Sequence, residues 1–289
     1  MKTDDIYTRV TTQIIEAIEA GQLTYRMPWH ATDAGSAMPV NAVSKRPYRG
    51  INVLSLWITA TQRGYSSGFW ATFQQLKQLG GQVRKGEKAA EVVLWKTGEK
   101  QTEDSEEPGG SYFFARGYSV FNADQVDGFD LDNVRELSED ERISTAEAFF
   151  RRLPMQIIHG GGKAFYNIET DAVHIPEFRR FRKAAYYYST LAHETVHWSG
   201  AAQRLNRQLD NRFGSMAYAA EELVAELGAA FLGALHQTFG EPRKNHAAYV
   251  ASWLTLLKND KRAIFTAASQ AQKAVDWLCS QVEQTSAAA

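Results

Sequence analysis

The sequence predicts an α+β protein of two domains, an amino-terminal α+β half and a carboxy-terminal half built around a pair of apolar helices. Apolar residues recur at helical spacing in several long stretches, short β-branched and aromatic runs lie between them, and an acid-rich break divides the chain near its middle. At 289 residues, 44% apolar and 22% charged, the chain is long enough for two domains, each with its own core. A net charge of −1 gives no general attraction to membranes or nucleic acid, so any such affinity must come from a local patch. The lone Cys279 excludes an internal disulfide framework. No apolar run approaches the length of a membrane span and the start lacks a signal-peptide pattern, so a cytoplasmic protein with no membrane partner is expected.

The first helix is expected from Asp4 or Asp5 to about Glu19, with Ile6, Val10, Ile14, Ile15 and Ile18 as its apolar stripe and Gly21 as its stop. An irregular segment from Tyr25 to Tyr48 follows, then helices at Ile51 to Gln62 and Thr72 to Leu79, the second closed by Gly80-Gly81. Glu91 to Trp95 and Ser111 to Phe121 read as strands, with the polar Thr97 to Gly110 as a mobile hairpin loop between them. Asp124 to Glu141 carries eight acids and few core candidates, which puts the domains at 1–126 and 142–289 with 127–141 as linker. From Ile143 the pattern turns helical, then gives short strands at Met155 to His159, Ala164 to Asn167 and Ala172 to Ile175. Apolar helices follow, one through Phe181 to Leu191 and one from Ser215 to Phe239, and Tyr249 to Val282 reads as helical.

The chemistry concentrates in His193-Glu194-Thr195-Val196-His197. Two imidazoles four residues apart share a helix face, which binds a zinc ion and sets the Glu194 carboxylate beside its water as a base. A zinc hydrolase needs three protein ligands and an open fourth position. Glu222 is the expected third ligand. Glu226, one turn on, is its rival, or else the acceptor for the free ring N–H of a ligating histidine. Glu221 lies about 100° around the helix from Glu222, so both cannot point at one ion. Ala225 and Ala229 are small enough to let the two helices close on a shared metal. Tyr218, one turn before Glu222, and His174, at a strand end, are candidate donors to a developing oxyanion. The same residues also admit a surface ion-pair network or a purely structural zinc site, although no cysteine stands nearby to close the shell.

The first half carries a different signal. From Lys45 to Trp95 there are eight cations against two carboxylates, interleaved with aromatic residues. Cations that neutralise phosphates, here Arg49, Lys77, Arg84, Lys85 and Lys88, and aromatics on which bases stack, here Tyr48 and Trp70, are what sequence-independent binding of single-stranded DNA requires. Such aromatics also serve as ordinary core residues.

Tyr48-Arg49-Gly50-Ile51-Asn52, Phe69-Trp70-Ala71-Thr72-Phe73, the turn from Gly80 to Glu87, and Tyr118 to Gly128 resemble the amino-terminal domain of ArdC-type antirestriction proteins, which is also found in plasmid TraC-type primases. Tyr187-Tyr188-Ser189-Thr190-Leu191 leading into the His193–His197 motif, with Trp198, Gly200 and Arg204-Leu205-Asn206-Arg207, resembles the zincin-like metallopeptidase domain attached to it. The resemblance implies a plasmid-borne protein that binds single-stranded DNA and protects incoming DNA from host restriction enzymes, with a second domain folded like SprT-type proteases. Partners would be single-stranded DNA and a host restriction enzyme or another protein substrate. A DNA mimic is disfavoured, because mimics are acidic throughout and the acids here cluster in a loop and a linker. Whether protection needs proteolysis, or only a DNA-binding shield whose metal site is structural or vestigial, is a separate question.

Overall fold

The computed structural model describes residues 3–21, 38–99, 111–128, 139–207, 209, 215–238 and 246–287. In the first half, helix α1 (Thr3–Gly21) precedes strand β1 (Val40–Asn41), α2 (Ile51–Arg63), β2 (Phe69–Ala71), α3 (Phe73–Gln78), β3 (Gln82–Val83), β4 (Ala90–Glu99), β5 (Ser111–Asn122) and β6 (Val126–Asp127). The strands form a four-stranded sheet in the order β1-β2-β5-β4 and a β3-β6 ribbon. Ile6, Val10, Ile14 and Ile18 of α1 are all buried, as their 3.6-residue spacing requires. Helix α2 ends at Gly64, whose φ of 68° is the left-handed conformation a helix stop favours. Thr72 and Gln75 start α3 with a reciprocal capping box.

The second half runs α4 (Glu139–Arg152), β7 (Gln156–His159), β8 (Phe165–Asn167), β9 (Ala172–Ile175), α5 (Ala184–Ser199), α6 (Met216–His236), α7 (His246–Asn259) and α8 (Ala263–Ala287). Its sheet has the order β7-β9-β8, with β7 and β9 parallel and β8 antiparallel along the edge. Val173 and Ile175 of β9 face the core while His174, between them, is only half-buried. Among the described residues no helix is long and apolar enough to cross a membrane.

Several expectations need correction. The halves do not keep wholly separate cores: one buried cluster joins Ile6, Ile14, Leu54 and Trp57 to Leu223, Phe231, Trp253 and Leu278. Thr11 Oγ1 donates to the Lys261 carbonyl at 2.7 Å, and the Gly50 N–H to Gln272 Oε1 at 3.0 Å, across the same boundary. Two smaller clusters remain within the first half. The β4–β5 ladder reaches Glu99↔Ser111, so Thr97 to Glu99 are strand; 100–110 lie outside the described residues. The acid-rich segment is partly structural: the Asp124 carboxylate accepts the N–H groups of Ser66 and Ser67, Asp127 pairs with Gln82 in the ribbon, and α4 starts at Glu139. The remaining stretch, 129–138, lies outside the described residues, as does 22–37. The carboxy-terminal helix is two helices, because Asp260 turns the chain, its side chain accepting the Arg262 N–H at 2.8 Å.

Candidate metal centre

Helices α5 and α6 pack so closely that a Cβ added at Gly228 would lie 2.7 Å from Cγ2 of Val196. Ala225 is fully buried and Ala229 half-buried, but the contact that demands an absent side chain is at Gly228. This approach brings His193 and His197 on α5 against Glu222 on α6. His193 Nε2 and His197 Nε2 lie 3.1 Å apart; His193 Nε2 is 3.5 Å from Glu222 Oε2 and His197 Nε2 is 3.5 Å from Glu222 Oε1. Four ligands at about 2.0–2.1 Å in a tetrahedron are about 3.3–3.4 Å apart along each edge, so the spacing of the two imidazole nitrogens from each other and from the Glu222 carboxylate is that of a zinc-sized coordination shell. His193, His197 and Glu222 are also the group able to hold a metal ion among the described residues.

The electrostatics agree with a cation site. Burial would lower the His197 pKa, but hydrogen bonds to Glu221 and Glu222 override it and raise it to about 10. Burial would raise the Glu222 pKa, and the two imidazoles instead pull it well below the usual carboxylate range. The cluster thus demands positive charge, from protons or from a metal that displaces them.

Around the ligands the structure assigns distinct places. Glu226 Oε1 sits 3.1 Å from Nδ1 of His193, behind the ring rather than among the Nε2 atoms, and out of line for a hydrogen bond, since that Nδ1 has no hydrogen-bond partner among the described residues. The carboxylate that takes up the other histidine was missed: Glu221 Oε1 is 3.2 Å from His197 Nδ1 and is clamped by Arg207 at 3.0 Å through both of its oxygens. The 100° offset that removes Glu221 from the metal is what places it on the back of His197. Arg207 could not be assigned from helical spacing because it belongs to the turn after α5.

Glu194 is buried, and the backbone N–H of Tyr166 on edge strand β8 donates to its Oε2 at 3.1 Å. The strand is anchored in turn: Tyr166 donates to Asp171 at 2.7 Å, and Arg204, stacked 4.1 Å over the Trp198 ring, pairs with the same carboxylate. Tyr218 lines the cavity of about 230 Å³ over the ligands, its hydroxyl 3.3 Å from that of Tyr249. Burial first, then Tyr249 and Glu222, push its pKa up and keep it a donor. His174 does not line this cavity: strand alternation turns it to the other side of the sheet, against Phe165.

In the first half the expected DNA-binding residues separate. Trp70 is 1% exposed and packs in the core with Leu56 and Val92, so it offers no face to a base. Tyr48 is half-buried and its hydroxyl accepts from Asn41 at 3.3 Å. Arg49 pairs with Asp276 of α8, and Arg84 with Glu87 and Asp127. Lys77, Lys85 and Lys88 are exposed. Among the described residues, the exposed aromatics of this half are instead Phe73 and Trp95, at 47% and 42%. The pattern of residues alone could not separate them from the buried ones, because Trp70 and Trp95 both stand in strands.

Comparison with known proteins follows the same division. Residues 4–121 match a family model described as the N-terminal domain of anti-restriction factor ArdC, and residues 144–270 one described as zincin-like metallopeptidase. An uncharacterised protein of Sinorhizobium fredii is 50% identical over 284 residues, covering 96% of this chain and 92% of that protein. A DNA primase TraC of Escherichia coli is 34% identical along 94% of this chain, which spans 27% of the primase. Crystal structures of the antirestriction protein ArdC from plasmid R388, metal-free and Mn(II)-bound, superpose with TM-scores of 0.83 and 0.77 at 42% and 41% identity; they cover 97% and 96% of this chain, and 98% and 97% of their own. With nearly the whole length of both partners aligned at this identity, the chain belongs to the ArdC family of antirestriction proteins.

Proposed function

We propose that this chain binds single-stranded DNA and protects incoming plasmid DNA from host restriction enzymes in the cytoplasm, and that its second half, from about residue 142, is a zinc-dependent peptidase. The observation that carries the peptidase reading is the open three-ligand cluster of His193, His197 and Glu222 with buried Glu194 beside it. The Mn(II)-bound relative supports a divalent ion there. When bound, such an ion supplies a Lewis acid that acidifies water and polarises a carbonyl. Tyr166 N–H holds one oxygen of Glu194, and the carboxylate takes a proton from water and passes it to the leaving amine. Tyr218 donates to the developing oxyanion. Glu221 orients His197 from behind, and the Glu226 carboxylate stands behind His193.

Glu194→Gln in the full-length protein tests this: zinc content should match the parent while hydrolysis of casein is lost. A variant that hydrolyses casein as fast as the parent would remove Glu194 from the chemistry. The second reading is a shield that coats the DNA or occludes the restriction enzyme, and the exposed Lys77, Lys85 and Lys88 favour it. Plasmid transfer into a restricting host separates the two. Equal protection by Glu194→Gln and the parent rejects proteolysis as the means.

A further inference from the structure

We infer that the second half carries its own contact for single-stranded nucleic acid, formed by the loop at 160–163 and the segment at 176–183 beside the metal cavity. Neither segment stands out in sequence, because they are separated by β8 and β9. The fold joins them: β7 and β9 run parallel and end together, with Gly160 N–H donating to the Ile175 carbonyl at 2.9 Å and Arg180 to the Gly161 carbonyl at 2.7 Å. The joined surface holds Lys163, Arg179, Arg180, Arg182 and Lys183, all exposed, against one carboxylate, Glu177. Glu177 pairs with Arg179, and among the described residues the other four cations have no carboxylate partner.

Charge alone would suit any polyanion; the rings narrow it. Phe165 and Phe178 are 45% and 47% exposed, and neither is loose. Phe165 stacks on His174 with centroids 4.6 Å apart and planes 6° off parallel, and Phe178 packs edge-on to Tyr187 at 5.0 Å. Each ring is thus fixed on one side and open on the other, as a base-stacking platform must be. Beside Phe165 lies an open depression of about 730 Å³ lined by Gly160, Gly161, Gly162 and Lys163. A Cβ at any of the three glycines would meet nothing within 4 Å, so a backbone phosphate can approach the main chain there. Exposed cations beside rigid exposed rings fit an unpaired strand, whose bases are free to stack, better than a duplex. Phe165 also lines the metal cavity, so a strand held here lies one residue from the Tyr166 N–H that fixes Glu194.

The inference rests on the proposed DNA binding, and one experiment distinguishes their failures. Anisotropy of a labelled 30-mer oligothymidine is titrated with full-length protein between 50 and 200 mM salt. Arg182→Glu with Lys183→Glu should flatten the salt slope by about 1.4 and weaken binding about 50-fold at 50 mM, because two phosphates are no longer neutralised. Phe178→Ala should weaken it about tenfold without changing the slope. Unchanged zinc content and melting temperature identify folded variants, and the neutral pair Arg182→Gln and Lys183→Gln, expected to flatten the slope equally, replaces the reversal where that fails to fold. If affinity and slope stay within error of the parent, the second contact is overturned while DNA binding by the first half stands, and the patch is then a face for an acidic protein. If the parent itself binds no oligonucleotide at 50 mM salt, both fall.

Discussion

Replacing Gly228 by Ala should misalign the metal ligands, although by local rules it should stabilise α6. Alanine in a helix interior is favoured over glycine by about 0.8–1.0 kcal/mol. Opposing this, the new Cβ would stand 2.7 Å from one methyl of Val196 and 3.0 Å from the other, where ordinary contact begins at 3.4 Å. Relief requires a movement of about 0.7 Å. Val196 cannot supply it by rotating, since a β-branched residue in a helix is confined to one χ1 well and this side chain is fully buried. The helices must therefore separate, at about 1–3 kcal/mol for overpacking, which leaves a net loss of up to about 2 kcal/mol. The consequence for function is larger. Ligand distances tolerate about 0.2 Å, and the same movement parts His193 and His197 from Glu222, so zinc affinity measured by chelator competition should fall at least tenfold. Val196→Ala in the same chain should restore zinc affinity to the Gly228 level and reveal a coupling of about 1–3 kcal/mol in the double-mutant cycle. A Gly228→Ala protein that melts higher than the parent and holds zinc as tightly would refute the argument that this glycine sets the helix approach.

Glu221→Gln should lower zinc affinity 10- to 100-fold by weakening the orientation of His197, while casein hydrolysis returns at saturating zinc; unchanged affinity would mean that Glu221 serves only Arg207. Charge reversal at Lys85 and Lys88 should weaken oligonucleotide binding for every sequence tried and reduce the salt slope by about 0.7 for each phosphate left without its cation, whereas a slope equal to the parent's makes that face a solvated one. His236 has both ring nitrogens buried without hydrogen-bond partners among the described residues, and burial lowers its pKa to about 4. Between pH 6.5 and 4 the unfolded chain therefore binds more protons than the folded one, so stability falls with pH by about 1.3 kcal/mol from pH 7.5 to 5.5; His236→Leu should remove that part of the slope in denaturant titrations, and an equal slope in both proteins would count against it.

How much of this was legible in the sequence follows from how local each determinant is. The four buried isoleucines and valines of α1, the three short strands before α5, and the His193–His197 motif are read at spacings of two to four residues, and the fold keeps them. Glu222 lies 25 residues from His197, yet it was reachable because it carries its own helical period and the chemistry of a three-ligand site asks for one more carboxylate. Beyond that reach, periodicity gives direction but no partner. It placed Glu221 off the metal and could not say that Arg207 would hold it behind His197; it offered Ala225 and Ala229 for helix approach and passed over Gly228, whose value appears only when Val196 arrives from another element.

The same limit explains the first half, where aromatic residues on alternating strands look alike until the sheet has an inside. Trp70 then falls in the core and Trp95 outside it. It also explains the surface at 160–163 and 176–183, whose cations belong to one patch only because β7 and β9 end side by side. His193 and His197 are thus legible because they stand within one helix turn, and the groups around them depend on which elements the fold brings together. A metal site read from its motif predicts that a metal binds; only the packing of α5 on α6, with Gly228 at the crossing and Glu221 and Glu226 behind the histidines, predicts how tightly.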